Sequence, residues 1–171
     1  MTYVRFLAMI VASTVLMFGL MYLNTYAIDH VFFSQTRAWM AIVMGAAMAL
    51  LMLGFMWGMY KGNGTKGAIM VASVAIFAGA LWLVRSQNTV DDVSYMKAMI
   101  PHHSIAILTS RRSHISDSRV RKLADGIIEA QVREIGEMKQ LIADLEAHPS
   151  SERAADLPPV STDLRQPTAR P

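Results

Sequence analysis

The stretch VRSQNTVDDVSYMKAMIPHHSIAI, residues 84–107, is where the chain changes solvent. Before it, the only charged side chains are Arg5, Asp29, Arg37, Lys61, Lys66 and Arg85. From Asp91 onward, acids and bases alternate with apolar residues at helical spacing. The polar junction between the two regimes, SQNTVDD, is too short to be a long linker. The sequence therefore divides into a membrane part and an amphipathic part that follows it closely.

Three charge-free stretches lie upstream, Phe6 to Ala27, Ala38 to Tyr60 and Ala68 to Val84. A helix needs roughly 17 to 25 apolar residues to cross a bilayer, so the sequence predicts three transmembrane helices, about 6–27, 38–60 and 68–84. Arg5 ahead of the first run also fits a signal peptide. That run is too long for a signal core, however, and MYLNTYAIDH has no convincing small-residue cleavage site, so the segment is expected to be retained. Arg5, Lys61 and Lys66 fall on one side of the predicted membrane and Arg37 and Arg85 on the other, which favours a cytoplasmic N-terminus. Three crossings then put the C-terminal part outside the cytoplasm. The chain has 171 residues, 53% of them apolar, and a net charge of +3, which suits one membrane unit with a small appendage. Its bases after position 90 are matched by nearly as many acids, so no basic stripe for nucleic acid is expected.

The second predicted span repeats methionine at positions 40, 44, 48, 52 and 56, with Met59 close behind. Four residues overshoot a helical turn by about 40°, so the stripe winds around the helix and does not mark a fixed face. Packing by a flexible apolar side chain is the preferred reading, supported by Gly45, Ala49, Gly54 and Gly58 as close-contact positions; a thioether ladder for a soft cation is the alternative. Asp29 and His30 lie in the loop after the first span, where a lone His is ordinarily a hydrated polar group.

Downstream, apolar periodicity runs from Asp91 to about Arg112 and from about Asp117 to Ala147. Asp91 and Asp92 suit a first helical turn and Ser116 or Asp117 an N-cap, giving a helical hairpin over 90–148. The remainder, 149–171, is rich in proline and lacks periodicity, so a disordered tail is expected. Pro101 interrupts a pattern that continues upstream through Tyr95 and Met96. Because Ile100 is a poor N-cap, a continuous helix bent at the proline is predicted.

At about 100° per residue, Met96, Met99 and His103 fall within an arc of about 60° on that helix. Met99 and His103 form an i, i+4 pair able to grip one ion, whereas His102 and His103 stand about 100° apart and are poorly placed to chelate together. On the second helix Leu123, Ile127, Met138, Leu141 and Ile142 define the expected apolar face, with Gln131 and Glu134 in the same arc. A carboxylate on a buried stripe needs a partner. For Glu134 that partner is either a metal or a structural pair with Arg133, Arg121 or an imidazole, while Gln131 is read as bordering the stripe.

YMKAMIPHHSIAIL followed by RKLADGIIEAQVREIGEMKQLI resembles the DUF305 family over roughly Val90 to Leu145. The membrane segment from Asn24 to Tyr60 is similar to the N-terminal part of membrane-anchored members. The resemblance implies a ferritin-like, half four-helix-bundle hairpin and copper or silver binding outside the cytoplasm. Position by position it implies Met96, Met99, His102, His103, Glu134 and Met138 as the metal ligands. Leu108 stands where many members carry another methionine, which removes one potential thioether.

Together these readings predict an all-α protein of three transmembrane helices and an extracytoplasmic hairpin. The expected location is a bacterial inner (cell) membrane, with the C-terminal domain periplasmic or extracellular. Thioethers favour Cu(I) and Ag(I), imidazole also accepts Cu(II) and Zn(II), and the absence of cysteine removes competing thiolates. The expected function is sequestration, tolerance or hand-over of Cu(I) or silver, with a metal-donor or acceptor protein as partner. A lone hairpin leaves its apolar face open, so a homodimer completing a four-helix bundle is expected. No enzymatic activity is expected: a ferritin-like oxidase would need Glu-x-x-His pairs, and neither helix has one. The rival reading is a membrane interaction or assembly protein whose His and Glu residues make only structural polar contacts.

Overall fold

A computed structural model describes residues 2–148 and 157–159. The chain forms five α-helices, α1 (Tyr3–Leu20), α2 (Gln35–Phe55), α3 (Asn63–Ser86), α4 (Asp92–Arg112) and α5 (Ser118–Ala147), with 3-10 turns at Ile28–His30 and Trp57–Met59. Among the described residues there is no strand. The tail expected over 149–171 lies outside the described residues except at 157–159, which are exposed.

α1, α2 and α3 are each long and apolar enough to cross a membrane, but their ends differ from the expected 6–27, 38–60 and 68–84. α1 stops at Leu20, seven residues before Ala27, because groups beyond it hold its end. The Arg37 guanidinium donates to the Met21 carbonyl at 2.7 Å and lies 4.5 Å from the Tyr22 ring centroid, while the Tyr22 hydroxyl accepts the Ser34 N–H at 2.9 Å. α2 starts at Gln35, since the buried Ser34 caps it by accepting the Arg37 N–H at 3.2 Å. It gives way after Phe55 to the turn at Trp57–Met59. α3 begins before its charge-free run, because Lys66 lies inside the helix and is buried. It ends where Gln87 adopts a left-handed conformation, φ 55°.

α2 is the central helix of this part, and both α1 and α3 pack on it. Its buried residues are mostly small: Ala41, Val43, Gly45, Ala46, Ala49 and Leu53. At Gly45 the approach is close enough that a Cβ would land on the Thr14 hydroxyl of α1. Met48, Met52 and Met56 pack against a cluster of Phe6, Ile10, Ala49, Leu53 and Tyr60. Val4, Leu7, Val11, Val15 and Leu16 on α1 and Val71, Val74, Ile76 and Trp82 on α3 are exposed, an outer surface suited to a hydrocarbon solvent.

α4 and α5 form an antiparallel hairpin joined by residues 113–117, with Lys97 paired to Glu146 at one end and the Arg121 guanidinium donating to the Ser110 carbonyl near the turn. The Asp91 carboxylate caps α4 by accepting the Ser94 N–H at 2.7 Å, which lowers its pKa. The Asp117 carboxylate caps α5, and hydrogen bonds from the Arg119 side chain and from the Arg119 and Val120 amides hold its pKa down to about 2. α4 runs unbroken through Pro101, which is fully buried.

The hairpin core contains Met96, Ile100, Ile107, Ile135 and Ile142. The apolar face expected on α5 is only partly the buried one. Ala124, Ile135 and Ile142 are buried, whereas Leu123 is 66% and Leu141 52% exposed, with Ile127 also open. α5 carries two neighbouring apolar stripes, and α4 covers one of them.

Candidate metal-binding face of the hairpin

The open side of the hairpin is built around His103. As a residue of α4 its ring reaches back one turn, and Nδ1 lies 3.0 Å from the Met99 carbonyl oxygen. A carbonyl only accepts, so Nδ1 carries the proton and the other ring nitrogen, Nε2, is presented across the helix pair. There it lies 2.8 Å from the Glu134 Oε2 of α5, a contact between two acceptors that requires a further proton, or a cation, between them. The Gln131 amide donates to the same carboxylate oxygen at 3.4 Å, so Gln131 orients Glu134 from one turn earlier on α5.

The remaining residues predicted for the site surround this pair unevenly. Met96 is part of the packed core, Met138 is half-buried against that core, and Met99 is half-buried one turn before His103. His102 points away into solvent, its ring centroid 6.2 Å from that of His103 and tilted by 67°. The structure thus brings His103 and Glu134 into direct contact and leaves His102 outside that contact. Among the described residues no three His, Cys, Asp or Glu side chains converge on one point. A third donor on this face would therefore be a thioether. The polar donors brought together here are one imidazole nitrogen and one carboxylate, and the thioether-bearing residues of the same two helices are Met99, one turn before His103, and Met138, one turn after Glu134.

The opposite side of α4 is covered by the loop between α1 and α2, a contact the sequence did not predict. Ser104, fully buried, accepts the Tyr26 N–H at 2.7 Å and lies 3.0 Å from His30 Nδ1. The hydroxyl thus joins the Tyr26 amide and the His30 ring in one hydrogen-bonded group, and His30 Nε2 lies 3.9 Å from the Asp29 carboxylate. Burial disfavours the imidazolium and lowers the His30 pKa, with Asp29 opposing the shift and Lys139 adding to it. Lys139 of α5 pairs with Asp29 at 2.7 Å and lowers the Asp29 pKa. Arg111 of α4 donates to the Tyr26 hydroxyl, and Phe32 packs on the hairpin core. His30, expected to be a hydrated interfacial group, is instead half-buried against α4. The available signal was the apolar run VFF beside Asp29 and His30, unusual for a loop that faces only water.

A family model described as "Domain of unknown function (DUF305)" matches residues 92–168, beginning at the first residue of α4. "Uncharacterized protein L153" of Acanthamoeba polyphaga mimivirus is 33% identical over 102 residues, covering 56% of this chain and 67% of its own. No solved structure matches the chain.

Proposed function

This chain belongs to the DUF305 family through the segment that begins with α4, and from that premise we propose that it is a membrane-anchored binder of a soft metal ion, Cu(I) or Ag(I). In this reading α1 to α3 cross a cell membrane with the N-terminus in the cytoplasm, and the ferritin-like hairpin works outside it in sequestration, tolerance or hand-over. The observation that carries the proposal is the His103 ring, whose Nδ1 is committed to the Met99 carbonyl while Nε2 faces Glu134. Metal-binding histidines are commonly oriented this way, by a hydrogen bond on the nitrogen that does not bind.

His103 supplies nitrogen, Glu134 a carboxylate oxygen, and Met96, Met99 and Met138 the thioethers that select a monovalent soft ion. His102, outside the pair, serves a second copy or the transfer partner. A homodimer closes the face left open by Leu123, Ile127 and Leu141.

The rival reading, an assembly protein with a purely structural polar contact, draws on the mutual satisfaction of His103, Glu134 and Gln131. Competition titration of the purified full chain with Cu(I) and a chromophoric chelator separates the two. We expect saturable binding that weakens tenfold or more in a Met99→Ala/His103→Ala variant. Absence of saturable binding, or equal affinity in the variant, would select the assembly role.

A further inference from the structure

α1 and α3 both lean on α2, and a groove of about 440 Å³ runs between them. Its walls include Phe6, Ile10 and Thr14 of α1 and Ile69, Ser73 and Ile76 of α3, over a floor of Gly45, Ala46 and Ala49. Lys66 continues the α3 wall one turn before Ile69. It is only 5% exposed, and its ammonium lies 4.7 Å from the Trp57 ring centroid. Among the described residues no carboxylate pairs with it. The only acid in the first 90 residues, Asp29, is tied to Lys139 at the opposite end of these helices. Lys66 is in the first turn of α3, where side chains lean towards the helix N-terminus, and that N-terminus has no side-chain cap beyond Gly62. Arg5 and Lys61 are exposed at the same end, where the Tyr3 hydroxyl donates to the Lys61 carbonyl at 2.9 Å and ties α1 to the turn before α3.

A buried cation without an acid, free helix-start amides and an apolar groove leading away from both match the two ends of one kind of molecule. We propose that this is a binding site for an anionic phospholipid, its phosphate at Lys66 and the first amides of α3 and one acyl chain in the α1/α3 groove. The site depends on the reading of α1 to α3 as membrane-spanning, and on neither metal nor the hairpin. Trp57 makes it observable, because an anion at Lys66 changes the charge facing the indole.

The test uses the full chain in maltoside micelles with Trp39→Phe and Trp82→Phe, leaving Trp57 as the sole indole. Phosphatidylglycerol is expected to change its emission saturably, phosphatidylcholine to bind at least about fivefold more weakly, and inorganic phosphate at millimolar concentration to do nothing. Lys66→Gln should weaken phosphatidylglycerol binding by about fivefold and Lys66→Arg should retain it. Ser73→Phe, which fills the groove, should weaken both lipids; Ala72→Leu replaces it if that variant does not elute as a single species with the parent's helix content. Coincident curves for the two lipids, a response to inorganic phosphate equal to that of phosphatidylglycerol, or a groove-filled variant that binds as the parent does would each overturn the site. Washing membranes with alkaline carbonate keeps the two readings apart. Release of the chain removes the membrane reading and the lipid site together, whereas retention without lipid preference removes the lipid site alone.

Discussion

Ser104 has two hydrogen-bond partners and no solvent, so its hydroxyl cannot be removed without stranding both the Tyr26 amide and His30 Nδ1. An unmet buried polar group costs about 1–3 kcal/mol, and Ser104→Ala should release the α1–α2 loop by that order. The Tyr26 amide reports it directly, as a loss of hydrogen-exchange protection. The same contact carries a pH dependence. Above pH 6.5 the docked and free forms of His30 are both neutral and the contact is at full strength. As pH falls from 6.5 towards the lowered pKa of the docked ring, the free form takes up the proton more readily and docking weakens. Tyr26 protection should therefore hold between pH 7.5 and 6.5, decline as pH falls below 6.5 in the parent protein, and become insensitive to pH in His30→Gln. An acid-independent protection factor in the parent would dismiss the titration of His30 as the cause. Asp29 and His30 were visible in the sequence as a polar pair at a span end. Their partner Ser104 lies 74 residues away from His30, and no local periodicity encodes such a contact.

Among the helices, α1 and α2 depend on one close crossing. A side chain at position 45 meets the Thr14 hydroxyl, which is itself bonded to the Ile10 carbonyl at 2.8 Å. Gly45→Val should push α1 from α2 and destabilise the membrane part by about 1–3 kcal/mol, read as a lower thermal midpoint in detergent. Thr14→Ala in the same chain should recover part of the loss, and full additivity of the two substitutions would show that the clash is elsewhere. Gly45 was legible as a packing position because small residues recur along α2. α5 was less legible, for a geometric reason. A helix of 30 residues with apolar side chains at 120, 123, 124, 127, 128, 135, 138, 141 and 142 satisfies helical periodicity on two adjacent stripes. Sequence spacing does not choose between them, and only the approach of α4 selects Ala124, Ile135 and Ile142.

For the molecule as a whole, the break between α3 and α4 was legible because the charge content of the chain changes there. Six charged residues before that point, against dense charge after it, leave one plausible partition. The docking of the α1–α2 loop on the hairpin was not legible, since its contacts join the two compositional regimes and obey neither pattern. The loop covers the Ser104 side only, so the stripe of Leu123, Ile127 and Leu141 is the surface available to a second copy. If the proposed homodimer closes on this stripe, Leu123→Glu with Ile127→Glu should convert it to a monomer in analytical ultracentrifugation while leaving the helix content intact, because both residues are exposed. A dimer that survives both charges must close elsewhere.

The hairpin has two moorings: residues 87–91 tie the start of α4 to α3, and the α1–α2 loop grips α4 again at Ser104 and Arg111. It therefore cannot swing outward like a float on a line. His103 is 11 residues into α4, no more than about 17 Å of helix from Asp92. On the proposed metal-binding reading, a donor or recipient would have to come down to the lipid surface to meet it, so its own size and the crowding of neighbouring membrane proteins would decide how often an exchange takes place.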